Sequence, residues 1–361
     1  MTCGVNSMII SKQGRLDPEL LLQILRAKKE AVDRVVHELL PETHDIPEID
    51  LLYKMMMDYP SRGGKGIRSA ICLLTCQALG GKEQSAYLTA AAIEILQNWI
   101  LIHDDIEDDS EMRRGDPVLH RRYGIPLAIN AGDALHVKMW EILLRNEKIL
   151  GKEITLAVLR EFLQMTRETT EGQHLELSWV RNNRWDLRDE DYFLMCEKKT
   201  SWYTCISPMR LGGVIAGATE EILSPLFRLG RDLGIAFQIR DDILNLLGDE
   251  EKYGKETMGD LWEGKRTLLI IRLLNVMPEG AEREKILRIM NQQRGQKQNK
   301  DMNFILDSMK RLHVFDYGNS RADDLAKSAF TVFDKVFGSP SNNSANVALR
   351  SLLEFTVTRD W

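Results

Sequence analysis

The chain has 361 residues, 43% of them hydrophobic and 28% charged, with a formal net charge of −6. That is the composition of an ordinary globular protein with room for one large domain or two modest ones. The lack of a basic excess argues against nucleic acid as the main partner. The five cysteines (Cys3, Cys72, Cys76, Cys196 and Cys205) have no zinc-ligand spacing and fit a reduced, cytoplasmic setting.

The N-terminus, MTCGVNSMIISKQGR, lacks a basic n-region and a long apolar run, so residues 1–15 read as a flexible lead-in rather than a secretory signal. Helical periodicity then takes over: Leu20, Leu21, Ile24, Leu25, Ala31, Val32, Val35, Val36 and Leu39 lie on one face. A helix over Tyr53 to Tyr59 is expected to end at Pro60. The turn SRGGKG follows, and helix resumes from Ile67 to Leu79, with Cys72 and Cys76 as core thiols. The turn is not a P-loop, because it lacks the GxxxxGK[ST] spacing. Gly80-Gly81 stops that helix. The longest apolar run, Ala86 to His103, contains Glu94, Gln97 and Asn98 and reads as a core helix rather than a membrane span.

Further helices are predicted over 126–150, 153–180, 189–217, 220–248, 265–277, 301–313, 321–337 and 344–358. No alternating strand pattern is visible, and NQQRGQKQNKD (Asn291 to Asp301) and GSPSNNS (Gly338 to Ser344) read as surface loops too short to divide domains. The expectation is a single all-α domain over 1–361.

Two aspartate-rich segments stand out, LIHDDIEDDSEMRRG (Leu101 to Gly115) and FQIRDDILNLLGD (Phe237 to Asp249). Each emerges from an apolar helix, where charge of one sign is costly unless a cation neutralises it. Residues four apart share a helix face, so Asp104 and Asp108 project together with Asp105 to one side, and Asp241 and Asn245 repeat the spacing. Hard oxygen ligands of this kind suit magnesium, which completes its shell with water and phosphate oxygens. A solvated acidic helix end would explain either run alone. Two runs with the same Asp-Asp start and an oxygen ligand one turn later favour metal. Basic residues supply the counterpart: Lys65 and Arg68, Arg113 and Arg114, Lys198 and Lys199 with Thr200, and Lys255 and Lys265. Such groups are the usual ligands of diphosphate, so two anionic pockets are expected, one bridged by metal and one held directly.

With GGKGIRS, DDIEDDSEMRRG, GQHLELS, EKKTS, FQIRDDILN and GDLWEGKRTL in this order, the chain resembles the trans-isoprenyl diphosphate synthases (polyprenyl synthetases) over roughly Tyr59 to Leu274. The resemblance implies a helical bundle around a deep central cavity, a homodimer, and Mg²⁺ with three ions per active site. It implies Asp104, Asp108 and Asp241 as main metal ligands, with Asp105 and Asp242 nearby. Arg113, Lys199, Thr200, Gln238, Lys255 and Lys265 would contact the allylic diphosphate. Gly64, Lys65, Arg68, Gln97 and Arg114 would hold isopentenyl diphosphate without metal. Two positions depart from the family pattern: Asn245 replaces a carboxylate, leaving a ligand through water, and Gln97 stands where many members have His.

The implied reaction is ionisation of the allylic diphosphate, attack by the isopentenyl double bond, and loss of a proton to pyrophosphate. Trp99, five residues before Asp104 and about 7.5 Å along the helix, would form the floor that limits product length. Plain core packing is the alternative for that ring. With Ile100 smaller than the second aromatic of many C15-forming members, geranylgeranyl diphosphate (C20) is expected ahead of farnesyl diphosphate (C15). Three competing readings are weaker. A class I terpene cyclase would need an Asn/Ser/Glu triad. A non-catalytic synthase subunit would have lost these aspartates. A metal phosphohydrolase built on His103 and Asp104 would need further ligands, and His120, His136 and His174 lack the spacing.

Overall fold

The structure, a computed structural model, describes residues 16–248, 257–338 and 343–358. The expected flexible lead-in and Lys255 fall outside those residues. The chain is helical almost throughout: α1 (Pro18–Leu39), α2 (Pro47–Ser61), α3 (Ile67–Ala78), α4 (Tyr87–Glu107), α5 (Leu119–Tyr123), α6 (Ile125–Leu144), α7 (Glu147–Arg181) and α8 (Asp189–Cys196). A π-helical segment, Glu197–Ile206, leads into α9 (Ser207–Ile215) and α10 (Glu220–Leu247). The remainder is α11 (Gly259–Glu263), α12 (Leu268–Val276), α13 (Ala281–Met290), α14 (Asn299–Arg311), α15 (Val314–Phe337) and α16 (Ser344–Val357).

Local chemistry explains the boundaries. Asp17 caps α1 by accepting from Glu19 N at 2.9 Å, and Pro18 supplies the first helical φ. The first half of α4 is largely apolar, broken by Thr89, Glu94 and Gln97, and Ala90, Ala91, Ala92, Ile93, Ile95 and Leu96 are all fully buried. A helix over Glu83–Glu107 is long and apolar enough to cross a membrane by length and composition, but α4 packs on α1, α3 and α6 as a core element. Cys72 and Cys76 are buried free thiols, as expected, and burial pushes the Cys76 thiol up to about 11.

Three differences from the sequence reading matter for the site. The helix expected over 189–217 is interrupted by the π-helical turns that carry Lys198, Lys199 and Thr200. Wide turns need room, and glycines opposite provide it. A Cβ on Gly172 of α7 would lie 2.2 Å from Lys199 N, and one on Gly234 of α10 would lie 2.5 Å from Ser201 Cα. Second, a small hairpin follows α4, pairing β1 (Met112–Arg113) with β2 (Asp116–Pro117). Its two central residues, Arg114 (φ 53°) and Gly115 (φ 84°), are left-handed, as the tight hairpin turn requires. Third, α2 begins at Pro47 and runs past Pro60, and α13 occupies a stretch with no predicted element.

Candidate active site

The end of α4 separates its three aspartates by direction. Asp104 and Asp108 line a cavity of about 490 Å³, walled also by the hairpin, Asn245, α11 and Arg294. Asp105 points the other way and is buried. Tyr59 Oη donates to Asp105 Oδ2 at 2.6 Å, and Arg113 binds the same carboxylate through Nε at 3.1 Å and through Nη2. Asp105, expected near the metal, is thus not on the cavity wall, whereas Arg113, expected at the allylic diphosphate, lines the cavity beside Asp104 and Asp108. The two neutralise one another in a buried pair that anchors the hairpin. Burial opposes the charge on Arg113, but Asp105 raises its pKa above the ordinary arginine value. Arg62 braces the same hairpin, donating to the carbonyls of Arg113 (2.9 Å) and Pro117 (2.8 Å).

Two lysines occupy the acidic wall. Lys265 Nζ lies 2.7 Å from Asp108 Oδ2 and 2.8 Å from Glu263 Oε2. Lys199 Nζ is paired with Glu176 and lies 3.6 Å from Asp104 Oδ1, which also accepts from Gln173 Nε2 at 3.1 Å. Burial, reinforced by Asp104, pushes the Asp108 carboxyl up to about 6 even though Lys265 pulls it down. Both lysines are lifted above their ordinary range by these carboxylates, against the effect of burial. They are fully charged counter-ions, placed where a metal or a diphosphate would otherwise be met.

The second motif is less symmetrical with the first than its spacing suggests. Asn245 lies on the wall of the large cavity, but its Oδ1 accepts from Asp260 N at 3.1 Å. Its amide thus ties α11 to α10 from the wall of that cavity, where it was expected to act through water. Asp242, expected near the metal, is not on that wall. It is buried, accepting from Tyr192 Oη at 2.7 Å and from Gln238 Nε2 at 2.8 Å, and burial drives its pKa well up. Gln238 Oε1 in turn accepts from Thr200 Oγ1 at 2.8 Å, which brings together two residues expected at the allylic diphosphate. Asp241 is half-buried one turn before Asn245 and is not among the residues walling the 490 Å³ cavity.

The residues expected to hold the second diphosphate gather at the start of α3. The Gln97 amide, oriented to satisfy both its ends, accepts from Arg68 Nη1 at 3.0 Å and donates to Glu94 Oε2 at 3.3 Å. Arg114 Nη1 rests on the Tyr59 carbonyl at 2.8 Å. Gly64 lies so close that a Cβ there would be 3.1 Å from Arg114 Nη2, and Lys65 beside it is exposed.

A second cavity, of about 230 Å³, shares Asp104 with the first. Trp99, Ile100, Leu101, Leu177 and Tyr203 line it together with polar residues that include three threonines, Gln173 and Lys199, so its wall mixes apolar and polar groups. Sequence reasoning missed Gln173 and Glu176, although both lie in the GQHLELS motif, and Glu263, which lies in GDLWEGKRTL. It also missed Arg294. That residue comes from the segment read as a plain surface loop, yet it lines the large cavity 3.6 Å from Glu263.

Among the described residues no group of three or more His, Cys, Asp or Glu side chains forms a ready-made metal cage. Magnesium does not require one, since it keeps several waters and takes one or two carboxylates plus substrate phosphate oxygens. Asp104 and Asp108, hard oxygen donors on one wall with space in front, fit that demand.

The family described as Polyprenyl synthetase matches residues 49–309. The chain belongs to this family. Among polyprenyl synthetase relatives it is 33% identical over 315 residues to the geranylgeranyl diphosphate synthase of Sulfolobus acidocaldarius, covering 87% of this chain and 92% of that protein. It is 34% identical over 306 residues to the geranylfarnesyl diphosphate synthase of Aeropyrum pernix, covering 82% and 91%. The crystal structure of geranylgeranyl pyrophosphate synthetase from Pyrococcus horikoshii superposes with a TM-score of 0.83 at 32% identity, covering 95% of this chain and 99% of the other. The all-α polyprenyl synthetase fold is thus established independently of the site.

Proposed function

We propose that the chain is a short-chain trans-prenyltransferase that condenses isopentenyl diphosphate head-to-tail with allylic diphosphates and stops at geranylgeranyl diphosphate. The observation that carries this is the junction at Asp104, where an acid- and lysine-lined cavity meets one that is lined by Trp99, Ile100 and Leu177. An amphiphile with a diphosphate head and a hydrocarbon tail matches that pair.

Asp104 and Asp108 would hold Mg²⁺, with Asp241 contributing from the facing motif, and three ions are the expected complement. When bound, the metal supplies Lewis-acid stabilisation of the departing diphosphate. The chain's own residues do the rest. Lys199 and Lys265 exchange their carboxylate partners for phosphate oxygens and stabilise negative charge as it grows. Thr200 Oγ1 and the Gln238 amide would present oxygen dipoles to the allylic cation. Arg68, Gln97 and Arg114 orient isopentenyl diphosphate, and the apolar cavity keeps water from the cation. The proton lost after condensation passes to pyrophosphate, so no side chain acts as the base.

Trp99 is the floor of the tail cavity in this reading. The C20 product is favoured over C15 by the names of the relatives, and the geranylfarnesyl synthase among them makes C25 the second reading. Exposed Ile129, Val137 and Leu144 on α6, with Ile149, Leu156 and Leu163 on α7, recur largely at seven-residue spacing and support a homodimer through these helices. The test is incubation with Mg²⁺, isopentenyl diphosphate and dimethylallyl, geranyl or farnesyl diphosphate in turn. C20 product from all three primers is expected, and pyrophosphate release without elongation would contradict the proposal.

A further inference from the structure

Trp99 does not stand alone at the end of the tail cavity. Its indole stacks on the imidazole of His136 from α6, with centroids 4.3 Å apart and planes inclined by 26°. His103, one turn along α4, meets the indole edge-on at 6.0 Å. The indole Nε1 is buried and has no hydrogen-bond partner, so no polar contact fixes the orientation of the ring. The stack is what holds it.

His136 is itself held. Trp140 Nε1 donates to His136 Nε2 at 3.0 Å, which places the ring proton of the neutral imidazole on Nδ1. Burial keeps that imidazole below its ordinary pKa; the charged groups facing it are Asp133, which opposes the shift, and His103, which adds to it. The two helices approach closely at Gly132, where a Cβ would lie 2.5 Å from His103 Nε2 and 3.4 Å from Trp99 Cδ1. His136 does not line the tail cavity, whereas Trp99 does.

We propose that His136 is a positioning residue for product length, clamping the Trp99 indole across the end of the tail cavity from the neighbouring helix. Without the stack the face of the indole loses its only stacked ring among the described residues, and the side chain can rotate off the path of the chain. This inference rests on the reading of Trp99 as the floor, and the experiment separates the two.

Wild type, Trp99→Ala, His136→Leu and His136→Phe are incubated with Mg²⁺, farnesyl diphosphate and isopentenyl diphosphate. Product lengths are measured by mass spectrometry and folding by thermal melting. Leucine fills the volume without a stacking ring, whereas phenylalanine keeps the ring and discards the hydrogen bond. Trp99→Ala and His136→Leu should raise the C25-and-longer share several-fold, His136→Leu should change the first condensation less than about twofold, and His136→Phe should keep the wild-type distribution. If Trp99→Ala lengthens the product but His136→Leu does not, or if Leu and Phe lengthen it equally, the clamp is overturned while the floor stands. An unchanged distribution in Trp99→Ala removes floor and clamp together. Should His136→Leu not fold, His136→Met decides, since loss of the stacking ring must raise the C25 share or the clamp is wrong.

Discussion

Replacing Asp105 by asparagine separates a structural carboxylate from a catalytic one within a single motif. The Asp105 side chain is buried, accepts a hydrogen bond from Tyr59 Oη and neutralises the buried Arg113. Removing one partner of such a pair leaves an uncompensated charge, which costs about 3–5 kcal/mol. At an unfolding entropy of about 2.1 cal/mol/K per residue, the 361-residue chain has about 0.76 kcal/mol/K in total. Asp105→Asn should therefore lower Tm by about 4–7 °C. Tyr59→Phe removes a hydrogen bond to a charged group, worth about 1.5–3 kcal/mol, and should lower Tm by about 2–4 °C. The double variant should fall short of the sum, because the two losses share a partner. Differential scanning calorimetry, with prenyltransferase turnover measured well below the transition, supplies both readouts. Asp105→Asn should keep turnover within about tenfold of wild type, whereas Asp104→Asn should lose roughly a hundredfold or more with little change in Tm. An unchanged Tm in Asp105→Asn, with a turnover loss equal to that of Asp104→Asn, would refute the reasoning and return Asp105 to the metal.

Other consequences follow from the same geometry. Lys265→Met removes a buried cation from beside Asp108 and Glu263 and should reduce kcat roughly 10²–10³-fold; a loss under tenfold in steady-state assays would remove Lys265 from the diphosphate site. The Asp108 carboxyl, raised to about 6 by burial, takes up a proton as pH falls through that value, and metal binding needs the ionised form. Magnesium affinity should therefore be flat above about pH 7 and fall toward about tenfold per unit well below pH 6, with proton release on binding near pH 6, measurable by calorimetry in two buffers. Affinity that does not change between pH 5 and 7.5 would exclude Asp108 as a ligand. Gly172→Ala forces a Cβ against Lys199 N, so it should cost about 1–3 kcal/mol and also lower kcat by displacing Lys199; a Tm loss with full activity would mean that the π-helical turn does not set the lysine.

The helices were legible because most bury one apolar stripe and are punctuated by Pro and Gly. The first motif was legible because helical spacing alone puts Asp104 and Asp108 on one face. What that spacing cannot give is the partner that claims each remaining carboxylate. Asp105 and Asp242 are next in sequence to the aspartates assigned to the metal, and both look like ligands until Tyr59, Arg113, Tyr192 and Gln238 arrive from elsewhere in the chain. Asn245 follows the same pattern: its role in tying α11 to α10 depends on a backbone fifteen residues away. The π-helical turn was hidden because its cause, Gly172 and Gly234, lies on two other helices. Arg294 was missed because a polar run reads as solvated surface whenever the acid facing it, here Glu263, is remote in sequence.

The central claim is that the Asp104–Asp108 wall holds a metal–diphosphate head whose hydrocarbon tail points toward Trp99. A crystal structure with Mg²⁺ and an unreactive allylic diphosphate analogue tests it most directly. The account predicts metal at Asp104 and Asp108, Lys199 and Lys265 turned onto phosphate oxygens, and the tail ending against the Trp99 indole. An analogue bound elsewhere, with Lys265 still on Asp108 and the tail cavity bare, would contradict it.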